Sequence, residues 1–136
     1  MKTENKILLV LAIIMILGLG FVILQPSTKR VQNFATITTG STDQGDVLIE
    51  LTPKIVDNRL EVTITANTHT ADLSQFDLAK TTMLEADGKK IPPASVPALQ
   101  GHHVSGTMEF EGVPAGSFSI VITGIPQVEA RRYSWP

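Results

Sequence analysis

Three histidines carry the most concentrated coordinating chemistry in the sequence, and they fall in two places, Asn67-Thr68-His69 and Gly101-His102-His103. Neutral imidazole is the commonest metal ligand and suits Cu(II) or Zn(II). A copper or zinc site built from His69 with His102, His103 or both is the sharpest reading of these residue types. Strand geometry limits it. Adjacent residues in extended chain point to opposite faces, so only one of His102 and His103 can join His69. Two imidazoles then need further ligands, and Asp72, Asp77 and Met83 are the candidates. Two other readings compete: histidines that hydrogen-bond loop backbone and fix a polar corner, or a partner-binding surface.

Met83 falls on the strand face opposite Leu84, which makes it the methionine outside the N-terminal apolar run expected to be accessible. A thioether beside imidazoles selects Cu(I) by softness. The order His69, Met83, His102 loosely resembles periplasmic copper chaperones, but their closing His-x-Met is replaced here by His102-His103-Val104. Asp43-Gln44-Gly45-Asp46 and the pair Asp72/Asp77 lack the dense alternating oxygen ligands of a calcium loop and read as turn-formers. There is no Gly-x-Ser-x-Gly, no His-Glu-x-x-His and no phosphate-cradling glycine loop. No catalytic residue is assigned, and the chain is expected not to be an enzyme.

Near the C-terminus, Arg131, Arg132, Tyr133 and Trp135 concentrate two cations with the only Tyr and Trp of the chain. On a last strand, Tyr133 and Trp135 are expected to close the core, with Arg131 on their side and Arg132 opposed. The alternative keeps Arg132, Tyr133 and Trp135 as interface candidates at a sheet edge.

These residues need elements to hold them. The 136 residues contain no cysteine, which removes disulfides, zinc–thiolate sites, blue-copper geometry and a lipid-modified N-terminal thiol. The net charge of −2 divides into +3 over residues 1–30 and −5 over the remainder. An acidic body repels phosphate backbones, so nucleic acid is excluded as a partner class. Residues 7–24 form an eighteen-residue run without a charged, amide or hydroxyl side chain. As a helix the run covers about 27 Å, close to the hydrocarbon thickness of a bilayer. It is longer than a signal-peptide core and lacks a good small-x-small cleavage site, so residues 1–30 are expected to stay as a membrane anchor. Lysines and arginine flank the run equally. The very short N-terminal tail favours a signal-anchor with the downstream body extracytoplasmic.

Residues 31–45 read as a polar linker, with a short strand near 34–39. From residue 46 the pattern alternates. Val47, Ile49 and Leu51 form a strand that Pro53 ends, and Leu60, Val62, Ile64 and Ala66 form the clearest half-buried strand. Asp72 caps a short helical turn, and Asp87-Gly88 suits a type I′ hairpin that sets Glu85 opposite Lys90. Strands over 105–111, 117–125 and 129–135 complete about seven, without an amphipathic helix to cover a sheet. The expected fold is all-β, an immunoglobulin-like β-sandwich over 46–136 behind one N-terminal transmembrane helix.

The stretch 67–78 (NTHTADLSQFDL), followed by 101–107 (GHHVSGT), resembles a pattern in poorly characterised prokaryotic exported proteins. These carry small β-sandwich domains behind one hydrophobic segment. The resemblance implies an extracytoplasmic location and assigns no functional residue. The expected function is a membrane-anchored binding or accessory module, with copper or zinc as the candidate cofactor. The alternative is a structural subunit that meets a protein partner in a membrane complex or surface polymer through its anchor and edge strands.

Overall fold

Side chains along a strand alternate between its faces, so an apolar residue at every second position buries one face and wets the other. In the computed structural model, which describes residues 3–23, 29–126 and 128–136, that alternation builds two antiparallel sheets packed as a β-sandwich. A helix α1 (Thr3–Ile23) precedes them. The strands are β1 (Val31–Asn33), β2 (Ile37–Thr39), β3 (Leu48–Val56), β4 (Arg59–Asn67), β5 (Thr82–Ala86), β6 (Lys89–Ile91), β7 (His103–Glu111), β8 (Phe118–Thr123) and β9 (Ala130–Trp135). A 3-10 turn (Leu73–Gln75) and a short helix α2 (Leu78–Thr81) connect β4 to β5.

The first sheet runs β1-β3-β4-β7, with β2 also paired to β3, and the second runs β6-β5-β8-β9. Ile49, Leu51, Leu60, Val62, Ile64, Met108 and Phe110 face inward from one sheet. Leu84, Phe118, Ile120, Ile122, Tyr133 and Trp135 face them from the other, and all are buried. Leu73, Leu78 and Leu99 from the connections plug the sides of the same core.

Two expectations are corrected. Residues 31–45 are not a polar linker, because β1 and β2 lie along β3 and Phe34 packs edge-on against Phe118 at 5.2 Å. Pro53 does not end its strand. β3 continues to Val56, and Pro53, which has no N–H to give, lies opposite the break between β1 and β2. There the Phe34 N–H donates to the Pro53 carbonyl at 3.1 Å.

The hairpins follow turn chemistry. Asp87 and Gly88 both have positive φ, 51° and 72°, as a type I′ turn requires, and Glu85 pairs with Lys90 across the strands. Asp57, at φ 56°, turns the β3–β4 hairpin.

The described side chains of α1 from Ile7 to Ile16 are apolar and exposed on every side. Among the described residues no helix is long and apolar enough to cross a membrane. The run 7–24 that carries the expectation of a span extends through residues 17–24, whose side chains lie outside those described.

Candidate functional site

The histidine segments meet at one end of the sandwich because β4 and β7 are neighbours and Asn67 pairs with His103. Thr68 ties them together. Fully buried, its N–H donates to the His102 carbonyl at 2.9 Å and its hydroxyl donates to the Asp46 carbonyl at 2.8 Å. The same hydroxyl accepts from the N–H groups of Thr70 and Ala71, at 3.3 and 3.1 Å. The Gly45 N–H donates to the Thr70 hydroxyl at 2.7 Å. Three connections thus converge on Thr68, two of them on its hydroxyl and the third on its backbone N–H, which makes a polar corner.

All three imidazoles are exposed at this corner. His103 Nδ1 lies 2.9 Å from Asn67 Oδ1. With the amide oxygen toward the ring, that bond needs hydrogen on Nδ1, which leaves Nε2 as the lone-pair nitrogen facing solvent. The carboxylates nearby are occupied. Asp72 accepts from the Ser74 hydroxyl at 2.6 Å and the Ser74 N–H at 3.0 Å. These bonds hold its carboxyl below the ordinary value, with the His102 ring adding a smaller attraction. Asp77 pairs with Lys80 at 3.0 Å and caps α2 through the Ala79 N–H, also at 3.0 Å. Lys80 leads in holding its pKa down.

The chemistry expected of these residues is therefore only partly assembled. Among the described residues no group of three or more histidine, aspartate or glutamate side chains is placed to hold a metal ion. Asp72 and Asp77 serve as caps. Met83 is removed from the candidate set by topology: it lies on the outer face of the second sheet opposite Val121, whereas His103 lies on the outer face of the first. Sheets pack about 10 Å apart, so the two faces do not meet.

The C-terminal candidates are also redistributed. Tyr133 is 0% exposed and Trp135 3%, so neither ring offers a surface, which corrects the interface assignment. Strand parity turns both inward. The Trp135 Nε1–H donates to the Ala35 carbonyl at 2.8 Å, and the Tyr133 hydroxyl lies 2.6 Å from Thr39 Oγ1. Burial pushes the Tyr133 phenol up in pKa. Arg132, on the opposite face, reaches across β8 to Glu85 at 2.6 Å. A concavity of about 570 Å³ beside Glu85, Lys90, Ser119 and Ser134 opens on this outer face, and none of the histidines lines it.

Sequence reasoning missed the ion pair of buried Arg131 with the half-buried Asp46, and the central role of Thr68. The partners of Arg131 are 85 or more residues away or on irregular chain, so no local spacing marks them. Comparison of the chain with protein-family models, with curated proteins and with solved structures finds no match.

Proposed function

We propose that the chain is an N-terminally membrane-anchored accessory module, with an immunoglobulin-like sandwich held outside the cytoplasm and no catalytic role. The observation that carries this reading is the helix α1, whose described side chains from Ile7 to Ile16 are apolar around the full circumference and have no cover. Water is a poor environment for such a surface and lipid a good one. The test uses the full chain. It is expected to float with lipid vesicles after alkaline carbonate washing, and recovery in the wash overturns the anchor. Because the chain lacks cysteine, a single Gln100→Cys label reports sidedness: modification by an impermeant maleimide in intact cells is the expected result, and protection overturns the extracytoplasmic placement.

A second reading, capture of copper or zinc at the histidine corner, is favoured by the Asn67–His103 bond. The Asn67 amide oxygen against Nδ1 orients the ring and leaves Nε2 for a metal. Titration of the full chain in detergent with Zn(II) or Cu(II) tests it. Affinity lost in His103→Ala and His69→Ala supports the site, and unchanged affinity in both removes it.

A further inference from the structure

An open sheet edge presents unmet backbone donors and acceptors, and native proteins shorten, break or cover such edges. Of the four edges of these two sheets, three are treated that way. β7 is covered where the Ala94 N–H donates to the Glu109 carbonyl at 2.7 Å and Ser95 bridges to Glu109. β6 stops after Ile91 at Pro92-Pro93, and the β1–β2 edge is two three-residue pieces with a break between them. β9 is different. It runs six residues, Ala130–Trp135, and among the described residues it pairs on one side only, with β8.

The ladder register tells which groups lie on the free side of β9. In an antiparallel ladder alternate pairs exchange both backbone bonds, and the residues between them turn theirs the other way. The Gly124 N–H donates to the Glu129 carbonyl at 3.1 Å, in the register of the β8–β9 ladder. The bonded pairs are therefore Ile122 with Arg131, Ile120 with Tyr133 and Phe118 with Trp135. Ala130, Arg132 and Ser134 turn their N–H and carbonyl groups away from β8, and among the described residues no backbone bond reaches them. A groove of about 290 Å³, lined in part by Thr39, Val128, Ala130 and Arg132, leaves that side accessible.

We infer that β9 pairs antiparallel with β9 of a second copy, joining the two second sheets into one continuous sheet. Of the edges that another copy brings, only its own β9 is long and uncovered among the described residues, and a two-fold axis makes this edge its own complement. Side-chain charge then sets the register. Centred on Arg132, the pairing covers residues 130–134 and puts each Arg132 directly opposite its twin on the outer face, a like-charge contact. Centred on Tyr133, it covers residues 131–135, and Arg132 of each copy exchanges both backbone bonds with Ser134 of the other. The second register meets the free groups without opposing like charges, and Arg132 keeps Glu85 at 2.6 Å within its own copy.

The full chain in detergent tests this. Sedimentation is expected to show a concentration-dependent dimer, with amide exchange at Arg132 and Ser134 slowed at least about tenfold as it forms. Ser134→Pro removes one edge donor and leaves the β8 ladder bonds in place, whereas Ser134→Ala loses the same hydroxyl and keeps the N–H. The proline variant is expected to be monomeric and the alanine variant dimeric, both with the native near-ultraviolet signal of Trp135. A second measurement does not depend on the proline variant folding. Because the chain has no cysteine, a nitroxide on Ser134→Cys reports only its twin, and the Tyr133-centred register puts the two Cα atoms about 8 Å apart, near enough for strong dipolar broadening. A monomer at every concentration, a dimer with free exchange at Arg132 and Ser134, or a spectrum without broadening overturns the pairing. So does a monomer whose β9 instead takes up the strand of a different protein. Dimers that survive Ser134→Pro are held by α1 or another surface and overturn it as well.

Discussion

Arg131 Nη2 lies 2.8 Å from Asp46 Oδ1, joining the last strand to the loop before β3. The arginine side chain is 2% exposed and its guanidinium also donates to the Pro126 carbonyl and to Thr39 Oγ1. Its Nε finds no partner among the described residues. A buried guanidinium without its anion is worse than no guanidinium at all. Asp46→Ala is therefore expected to cost about 3 kcal/mol and Arg131→Met only about 1 kcal/mol. Urea denaturation of both variants checks the order, and a reversed order contradicts the argument.

The same pair gives stability a pH dependence. Burial raises the Asp46 pKa, but the Val47 N–H, the Arg131 guanidinium and the Ser41 N–H together outweigh it and leave the carboxyl lowered. Glu85 is lowered chiefly by Arg132, with Lys90 assisting. Asp72 and Asp77 shift in the same direction. A depressed folded pKa means that the unfolded chain takes up the proton first. The contribution is therefore complete above the ordinary values of 3.8 and 4.5 and is lost as pH falls through the lower folded ones. The urea midpoint is expected to be level near neutrality and to fall below about pH 4.5. Asp46→Asn is expected to flatten that fall.

Two glycines with similar backbone angles separate strain from crowding. Gly40 has φ 76°, and a methyl there would strike the Val47 carbonyl and the Arg131 guanidinium. Gly88 has φ 72° and open space around it. Gly88→Ala is expected to cost about 1 kcal/mol, the left-handed penalty alone, and Gly40→Ala about 3 kcal/mol or more. Thermal melts of the two variants measure the difference, and equal losses would show that crowding at Gly40 relaxes freely.

The segment with β1 and β2 is part of the fold, so truncation has a sharp outcome. A chain starting at residue 29 is expected to unfold cooperatively. One starting at residue 46 loses Phe34, Ala35 and Thr39 and exposes Trp135, Phe118 and the Tyr133 hydroxyl. Near-ultraviolet circular dichroism from Trp135 follows this, and a native signal from the shorter chain would restore the linker reading.

Period-two alternation made the interior legible: Leu60, Val62, Ile64, Met108 and Phe110 were readable as inward because each is flanked by polar residues. Turn chemistry was equally legible at Asp87-Gly88. The segment 31–45 misled because its polarity is that of an edge whose few apolar residues, Phe34 and Ile37, do the packing. Pro53 misled because a missing N–H forbids a ladder bond only where a neighbour needs one. The histidine corner was legible in composition but not in geometry, since the Thr68 bonds that define it join segments far apart in the chain.

The contacts of Thr39 with Tyr133 and of Ala35 with Trp135 span 94 and 100 residues. The first edge strands thus wait for the last residues, and loop closure of that length sets a high entropic threshold for completing the sandwich. During N-to-C synthesis the sandwich stays unclasped until β9 has emerged. Chaperone dependence and protease sensitivity should therefore concentrate in the interval before β9 becomes available rather than spread along synthesis.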